Sequence, residues 1–304
     1  MTLATVCIPI CHETYFLNGS IREMLKHKHE NVDYEILVMD QTVGQNTRKV
    51  EEICYQYDEV KVVKTKRIDA GYPLDIGARM AKGEYFCSLD ADAFPVHKNW
   101  LNLPIKIIEK FGVSFVGNQT GLQNSYEQFN FLHINNYYRV STTEVARKIS
   151  EEIGFIRPQN KPNADIAYNR PNIIEGFADN GVQAQIFADQ EGYGPKFSVP
   201  IDTFIGRTPQ MGIYGMILGG LVFHMVFGQT IQEYHPSWLG EDYFRLLKKI
   251  HDTTLTEELA KELVSLSSDD NHDFFYFSGN ESSKVEVLNE ENEIVQFYKR
   301  EMQS

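Results

Sequence analysis

Short apolar runs alternate with amphipathic segments through the first hundred residues. The apolar runs are rich in strand-forming residues, and we interpret them as buried β-strands at residues 4–10, 34–39, 60–64 and 85–89. Between them, apolar positions recur at helical spacing, which predicts helices near residues 17–29, 47–57 and 73–81. Strands that alternate with helices favour βαβ units and a mostly parallel sheet.

The predicted parallel strands place their following loops along one edge of the sheet, because βαβ crossovers share one hand. These loops are residues 10–14, 40–46 and 90–94. In open α/β sheets, ligands bind at that edge. We therefore expect a ligand crevice lined by these three loops.

The pattern becomes less regular after Trp100. Residues 118–136 carry little periodic signal, and residues 155–176 and 206–220 are predicted to be loops. The remaining predicted helices lie near residues 101–111, 141–153, 179–190, 241–251 and 255–266. The remaining predicted strands lie near residues 113–116, 197–201 and 221–223.

Two carboxylates follow the strand at residues 85–89. Asp90 and Asp92 are two residues apart, and on an extended chain such side chains point the same way. Converging carboxylates form a hard-oxygen site suited to Mg2+ or Mn2+, especially when phosphate oxygens complete the coordination shell. A solvated turn is the alternative interpretation of this tripeptide.

Composition narrows the class of partner. The chain has 304 residues and a net charge of -13, which argues against nucleic acid or an acidic membrane surface as a partner. The four cysteines form no Cys-x-x-Cys pair, and we interpret them as reduced thiols. No signal peptide and no apolar run long enough for an integral membrane segment is visible, so we expect a cytoplasmic protein.

The order of four segments resembles nucleotide-sugar glycosyltransferases with the GT-A fold, and most closely the inverting family 2. The segments are VCIPICHET, ILVMDQTVGQNT, AGYPLDIGARMAKGEYFCSLDADAF and GGLVFHMVFGQT. The resemblance covers roughly residues 4–235. It implies a Rossmann-like α/β fold, in which a mostly parallel central sheet is flanked by helices.

The resemblance also implies a domain organisation. Residues 1–235 would form the GT-A domain, with a nucleotide-binding half at 1–100 and an acceptor and catalytic half at 101–235. Residues 236–304 would form a helical C-terminal extension.

The resemblance also implies site residues, at the positions of this chain that match the motifs of the family. The implied metal ligands are Asp90 and Asp92 of the Asp-x-Asp (DXD) motif, together with His224. Asp90 would contact the ribose or a metal-bound water, and Asp92 the metal itself. The implied nucleotide-binding residues are Pro9, Cys11, Glu13, Asp40, Asp75, Asp90 and Ala91. A lone histidine among apolar residues is also compatible with a purely structural role for His224.

The resemblance implies a general base between the DXD strand and the histidine segment. Asp179 is the first choice, although an aspartate at a predicted helix start is also an ordinary N-cap. Glu241 and Asp242 are the second choice, and these acidic residues also suit the first turn of a helix.

The implied activity is a glycosyltransferase of the hexosyltransferase type, acting in glycan biosynthesis. It would use a divalent metal, Mn2+ or Mg2+, and a nucleotide-sugar co-substrate, expected to be UDP-linked, with a glycan or other hydroxyl acceptor. The alternatives are a sugar-phosphate nucleotidylyltransferase and a non-catalytic carbohydrate-binding protein of similar fold. The first alternative is disfavoured because residues 10–16 contain no glycine, arginine or lysine.

Overall fold

The computed structural model describes an α/β protein in which most elements lie between residues 2 and 224. The described residues are 2–11, 14, 16–119, 134–155, 181–194, 196–199, 201–205, 215–218, 221–224, 284–288 and 294–299. In chain order, the strands among the described residues are β1 (Thr2–Ile10), β2 (Val32–Asp40), β3 (Val60–Lys64), β4 (Tyr85–Leu89), β5 (Ala93–Pro95), β6 (Phe115–Gln119), β7 (Ile134–Thr142), β8 (Lys196–Val199), β9 (Ile201–Ile205), β10 (Gly215–Leu218), β11 (Val222–His224), β12 (Lys284–Leu288) and β13 (Ile294–Lys299). The helices are α1 (Leu17–Lys26), α2 (Gln45–Cys54), α3 (Gly71–Met80), α4 (Asn102–Phe111), α5 (Thr143–Glu152) and α6 (Val182–Gln190).

The large sheet has the strand order β12-β13-β8-β6-β7-β4-β1-β2-β3. Strand β1 pairs in parallel with β2 and β4, and β2 pairs in parallel with β3. The predicted βαβ units and the mostly parallel central sheet flanked by helices are therefore confirmed. Strand β7 was not predicted, and it enters antiparallel between β4 and β6.

Helices cover both faces of the large sheet, which explains why its central strands are almost continuously apolar. Along β1, Val6 and Ile8 face one apolar cluster, whereas Cys7 faces the other. The first cluster takes residues from α1, α2 and α4, and the second takes residues from α3, α5 and α6. Helix α3 lies so close to β1 that a β-carbon added to Gly77 would be 2.5 Å from the Cys7 sulfur.

A small antiparallel sheet adjoins the end of β4 and has the order β5-β11-β10-β9. Strand β10 lies within residues 206–220, so the prediction of a loop throughout that segment was wrong. The main chain of β5 is tied to α1, because the Ser20 hydroxyl donates to the Ala93 carbonyl at 2.6 Å.

Beyond residue 236, the described elements are the strands β12 and β13. They pair with each other, and β13 pairs with β8 at the side of the large sheet. The predicted helices at 241–251 and 255–266 lie outside the described residues, so the helical extension at 236–304 stays a prediction. Within the part of the chain that the structure describes, no helix is both long and apolar enough to cross a membrane.

Candidate metal centre and donor crevice

The Asp90–Ala93 segment forms a tight turn at the end of β4. The Asp90 carbonyl accepts a hydrogen bond from the Ala93 amide at 3.0 Å, and the Asp90 amide donates to the Tyr137 carbonyl at 3.0 Å. This i to i+3 bond is typical of a β-turn. The two carboxylates converge as the sequence predicted, but they do so through a turn and not through the alternation of an extended chain.

His224 reaches the same place from the small sheet. Strand β11 pairs antiparallel with β5, and in this register His224 lies opposite Ala93. Its Nε2 is 3.4 Å from Oδ1 of Asp92 and 3.8 Å from Oδ2 of Asp90. The side chains of His224 and Asp92 are each 4% exposed, whereas that of Asp90 is 30% exposed.

The ligand atoms of Asp90, Asp92 and His224 fit a divalent cation. One ligand atom from each of Asp90, Asp92 and His224 lies within 4.8 Å of the other two. Ligand atoms that share a cation at about 2.1 Å are roughly 3.0–3.5 Å apart when adjacent, so the separations from Nε2 are close to those of a coordination shell. The partial exposure of Asp90 leaves an approach for further oxygen ligands, such as phosphates.

The charge of the cluster is visible in the pKa of His224. Burial lowers the pKa of this imidazole, but the close approach and negative charges of Asp90 and Asp92 outweigh burial. The net effect raises the pKa to about 9. Two carboxylates around one buried point therefore hold a positive charge strongly, as a site for a cation requires.

Tyr137 stacks on His224, a contact that sequence reasoning did not single out. The ring centroids are 4.1 Å apart and the ring planes differ by 10°. Tyr137 lies in β7, a strand without a clear periodic signal, so no periodic pattern in the sequence predicted its contact with His224.

The ends of β1 and β2 lie next to each other at the same edge of the sheet, where the sequence predicts the crevice. Pro9 pairs with Met39, and Ile10 pairs with Asp40, so the predicted nucleotide-binding positions of the two strands lie side by side. Cys11 follows β1 and is half-buried, and Ala91 is buried within the turn. Glu13 lies outside the described residues.

The Asp40 carboxylate is buried and accepts hydrogen bonds from three groups. Its Oδ1 accepts from the Thr42 amide at 2.8 Å and from the Thr42 hydroxyl at 2.6 Å, and its Oδ2 pairs with Lys64. These bonds hold Asp40 in a single orientation at the edge of the sheet.

Asp75 joins two helices. Its carboxylate is buried and accepts from the Phe155 amide at 2.7 Å, just after the end of α5. Gly154, with φ +78°, brings the chain against this carboxylate. The observed contact stabilises the α3–α5 junction, and the predicted position of Asp75 near the base stays a prediction.

The three candidates for the general base, Asp179, Glu241 and Asp242, lie outside the described residues. The chain is described again at Gly181, two residues after Asp179. A β-carbon added to Gly181 would lie 2.7 Å from both Asn136 and Arg139. Arg139 is buried between Phe115 and Phe155, with its guanidinium carbon 5.1 Å and 4.6 Å from their ring centroids.

Comparison with solved structures gives distant similarities. The mannosyltransferase PcManGT from Pyrobaculum calidifontis, solved in complex with GDP-Man and Mn2+, is 17% identical, with a TM-score of 0.40 over 50% of this chain and 47% of that chain. S. aureus TarS is 15% identical, with a TM-score of 0.39 over 55% of this chain and 32% of that chain. This chain thus spans less than half the length of either structure.

No curated protein matches the chain, but a protein family does. Residues 5–170 match the family described as Glycosyl transferase family 2, and this segment is more than half of the 304 residues. The chain therefore belongs to glycosyl transferase family 2.

Proposed function

We propose that this protein is a metal-dependent glycosyltransferase that moves a sugar from a nucleotide-sugar donor to an acceptor hydroxyl, with inversion at the anomeric carbon. The observation that carries the proposal is the convergence of Asp90, Asp92 and His224 where the parallel strand β4 ends. Membership of family 2 supports the same activity. Ligands of open α/β sheets bind at this edge, so a donor in the crevice would meet the cluster directly.

The burial of each ligand supports a separate role. Asp92 and His224 are nearly inaccessible and would hold the cation from the protein side. Asp90 is more exposed and would face the ribose or a metal-bound water. A bound Mn2+ or Mg2+ supplies positive charge next to the phosphates, where negative charge develops as the nucleoside diphosphate leaves.

The nucleotide would lie along the carboxyl ends of β1 and β2. Pro9, Cys11 and Asp40 lie along this edge, and we assign Glu13 and Asp75 to the same subsite on the strength of the resemblance. The resemblance favours uridine as the base, and Asp40, buried and held by Thr42 and Lys64, would fix the main chain at the edge of the sheet where the base binds. Measurement with several nucleotides is the direct test of this choice.

We assign the general base to Asp179. Its carboxylate would take the proton of the acceptor hydroxyl while the acceptor oxygen bonds to the anomeric carbon and the bond from that carbon to the phosphate oxygen breaks. The resemblance supports this assignment, because it implies a general base between the DXD strand and the histidine segment. Asp242 and Glu241 are the second choice for this role.

A thermal melt with UDP, GDP and CDP, each with and without Mn2+, tests the donor site. A ligand at about a hundred times its dissociation constant adds roughly 2.7 kcal/mol of stability. We expect an increase in melting temperature with UDP that requires Mn2+. An increase with GDP or CDP instead would support the metal-dependent site but show that the nucleobase of the donor is not uracil. No increase with any combination would contradict the proposal.

A further inference from the structure

Tyr137 contacts two members of the Asp90–Asp92–His224 cluster, one through its main chain and the other through its ring. Tyr137 lies on β7 of the large sheet, and its carbonyl accepts the hydrogen bond from the Asp90 amide at 3.0 Å. Its ring stacks on His224, which belongs to β11 of the small sheet, with 4.1 Å between the centroids. The main chain of Tyr137 thus contacts Asp90, and its ring contacts His224.

The stack matters because the His224 ring needs an orienting contact. A metal-binding histidine is usually held by a hydrogen bond from its second ring nitrogen to a protein group. The Nδ1 of His224 is buried and has no hydrogen-bond partner among the described residues. Rotation of an imidazole about its second side-chain torsion is otherwise broad, so another contact must set the ring plane.

The geometry of the stack provides that contact. The two ring planes differ by only 10°, so the face of Tyr137 covers one face of the imidazole and opposes its rotation. In this orientation Nε2 points toward Asp92 and Asp90, at 3.4 Å and 3.8 Å from their nearest oxygens.

We infer that Tyr137 is a positioning residue for a divalent cation, which holds the His224 imidazole in the plane where its Nε2 and the two carboxylates face one ion. The inference rests on the proposed metal site. The part of Tyr137 that acts is the aromatic face, and the hydroxyl is dispensable. A side chain of similar size without a ring fills the space but does not set the plane.

Calorimetric titration of the full chain with Mn2+ alone tests the inference. Tyr137→Leu is expected to weaken Mn2+ binding about tenfold or more, the usual range for loss of a group that orients a metal ligand. Tyr137→Phe keeps the ring and is expected to bind within about threefold of the wild type. Tyr193→Leu is the matched control, since Tyr193 is also half-buried and packs on an aromatic ring, that of Phe187, and it is expected to bind as the wild type does.

A second measurement observes the stack directly. In the metal-free wild type, the carbon-bound ring protons of His224 are expected to be shifted upfield in the NMR spectrum by the ring current of Tyr137. The His224→Gln variant identifies these signals by their disappearance. Unshifted His224 protons in the wild type would overturn the inference, even if Tyr137→Leu does not fold.

The outcomes separate this inference from the proposed function. If the wild type and Tyr137→Leu bind Mn2+ equally, the inference is wrong and the metal site stands. If Tyr137→Phe loses as much affinity as Tyr137→Leu, the hydroxyl is responsible and the stacking role is wrong. If the wild type itself binds no Mn2+, the proposed metal site fails and the inference fails with it.

Discussion

The Nε2 of His224 lies 3.4 Å from Oδ1 of Asp92 because the residue that follows Asp92 is paired with His224 across two antiparallel strands. Ala93 begins β5 and His224 ends β11, so the strand register itself joins the two ligands. The site therefore depends on the small sheet as much as on the parallel strands that precede it.

Asp92→Asn is expected to abolish Mn2+ binding and the Mn2+-dependent effect of nucleotides on the melting temperature. Asp92 is buried against His224, and an amide supplies no negative charge for a cation at that position. Calorimetric titration with Mn2+ measures the loss, and circular dichroism verifies the fold. The matched control is Asp58→Asn, at an exposed position, which is expected to leave Mn2+ binding unchanged. Undiminished Mn2+ binding by Asp92→Asn would remove Asp92 from the site.

The stability of the metal-free protein is expected to decrease between about pH 6.5 and pH 9. Burial lowers the pKa of His224, but Asp90 and Asp92 raise it to about 9, above the ordinary 6.5 of the unfolded chain. A raised folded-state pKa stabilises the protein fully below pH 6.5, and this contribution is lost as the pH rises through 9.

Thermal melts of the metal-free protein at several pH values measure this effect. His224→Gln lacks the titrating group and is expected to be less stable at pH 6.5, with a smaller decrease toward pH 9. The His224 protons should titrate in the NMR spectrum with a midpoint near 9. A midpoint at or below 6.5 would show that the two carboxylates do not hold the imidazolium.

Gly77→Ala is expected to destabilise the protein by about 1–3 kcal/mol, as overpacking of a core does. In an exposed helix the same change stabilises by roughly 1 kcal/mol. Here the added β-carbon would lie 2.5 Å from the Cys7 sulfur, so α3 would have to move away from β1. Urea denaturation measures the change. In a Cys7→Ala background the cost should be much smaller, and an equal cost in both backgrounds would contradict this explanation.

Asp179→Asn is expected to bind the donor and Mn2+ as the wild type does but to lose about 10²–10⁴-fold in transfer rate, the usual contribution of a general base. Nucleotide release from the donor in the presence of acceptor measures the rate. Asp242→Asn is the companion variant and is expected to keep its activity. Full activity of Asp179→Asn together with loss in Asp242→Asn would move the role to Asp242.

Local patterns were sufficient to predict the parallel half of the fold. Strand β4 was predicted at residues 85–89 and is found there, and β3 was predicted at residues 60–64 with the same result. Strands that are buried on both faces must be apolar almost throughout, so their positions are visible in the sequence. The same signal failed for β7, in which Asn136, Tyr137 and Arg139 interrupt any apolar period.

The sequence by itself determined the βαβ order, the edge of the sheet where a ligand would bind, and the carboxylates of Asp90 and Asp92 at that edge. The tertiary structure alone decided which face of His224 is covered and which way its Nε2 points. The β5–β11 register and the stacking of Tyr137 are contacts between segments far apart in the chain. Such contacts depend on how strands pair and sheets pack, and the residues that form them carry no periodic signal of their own.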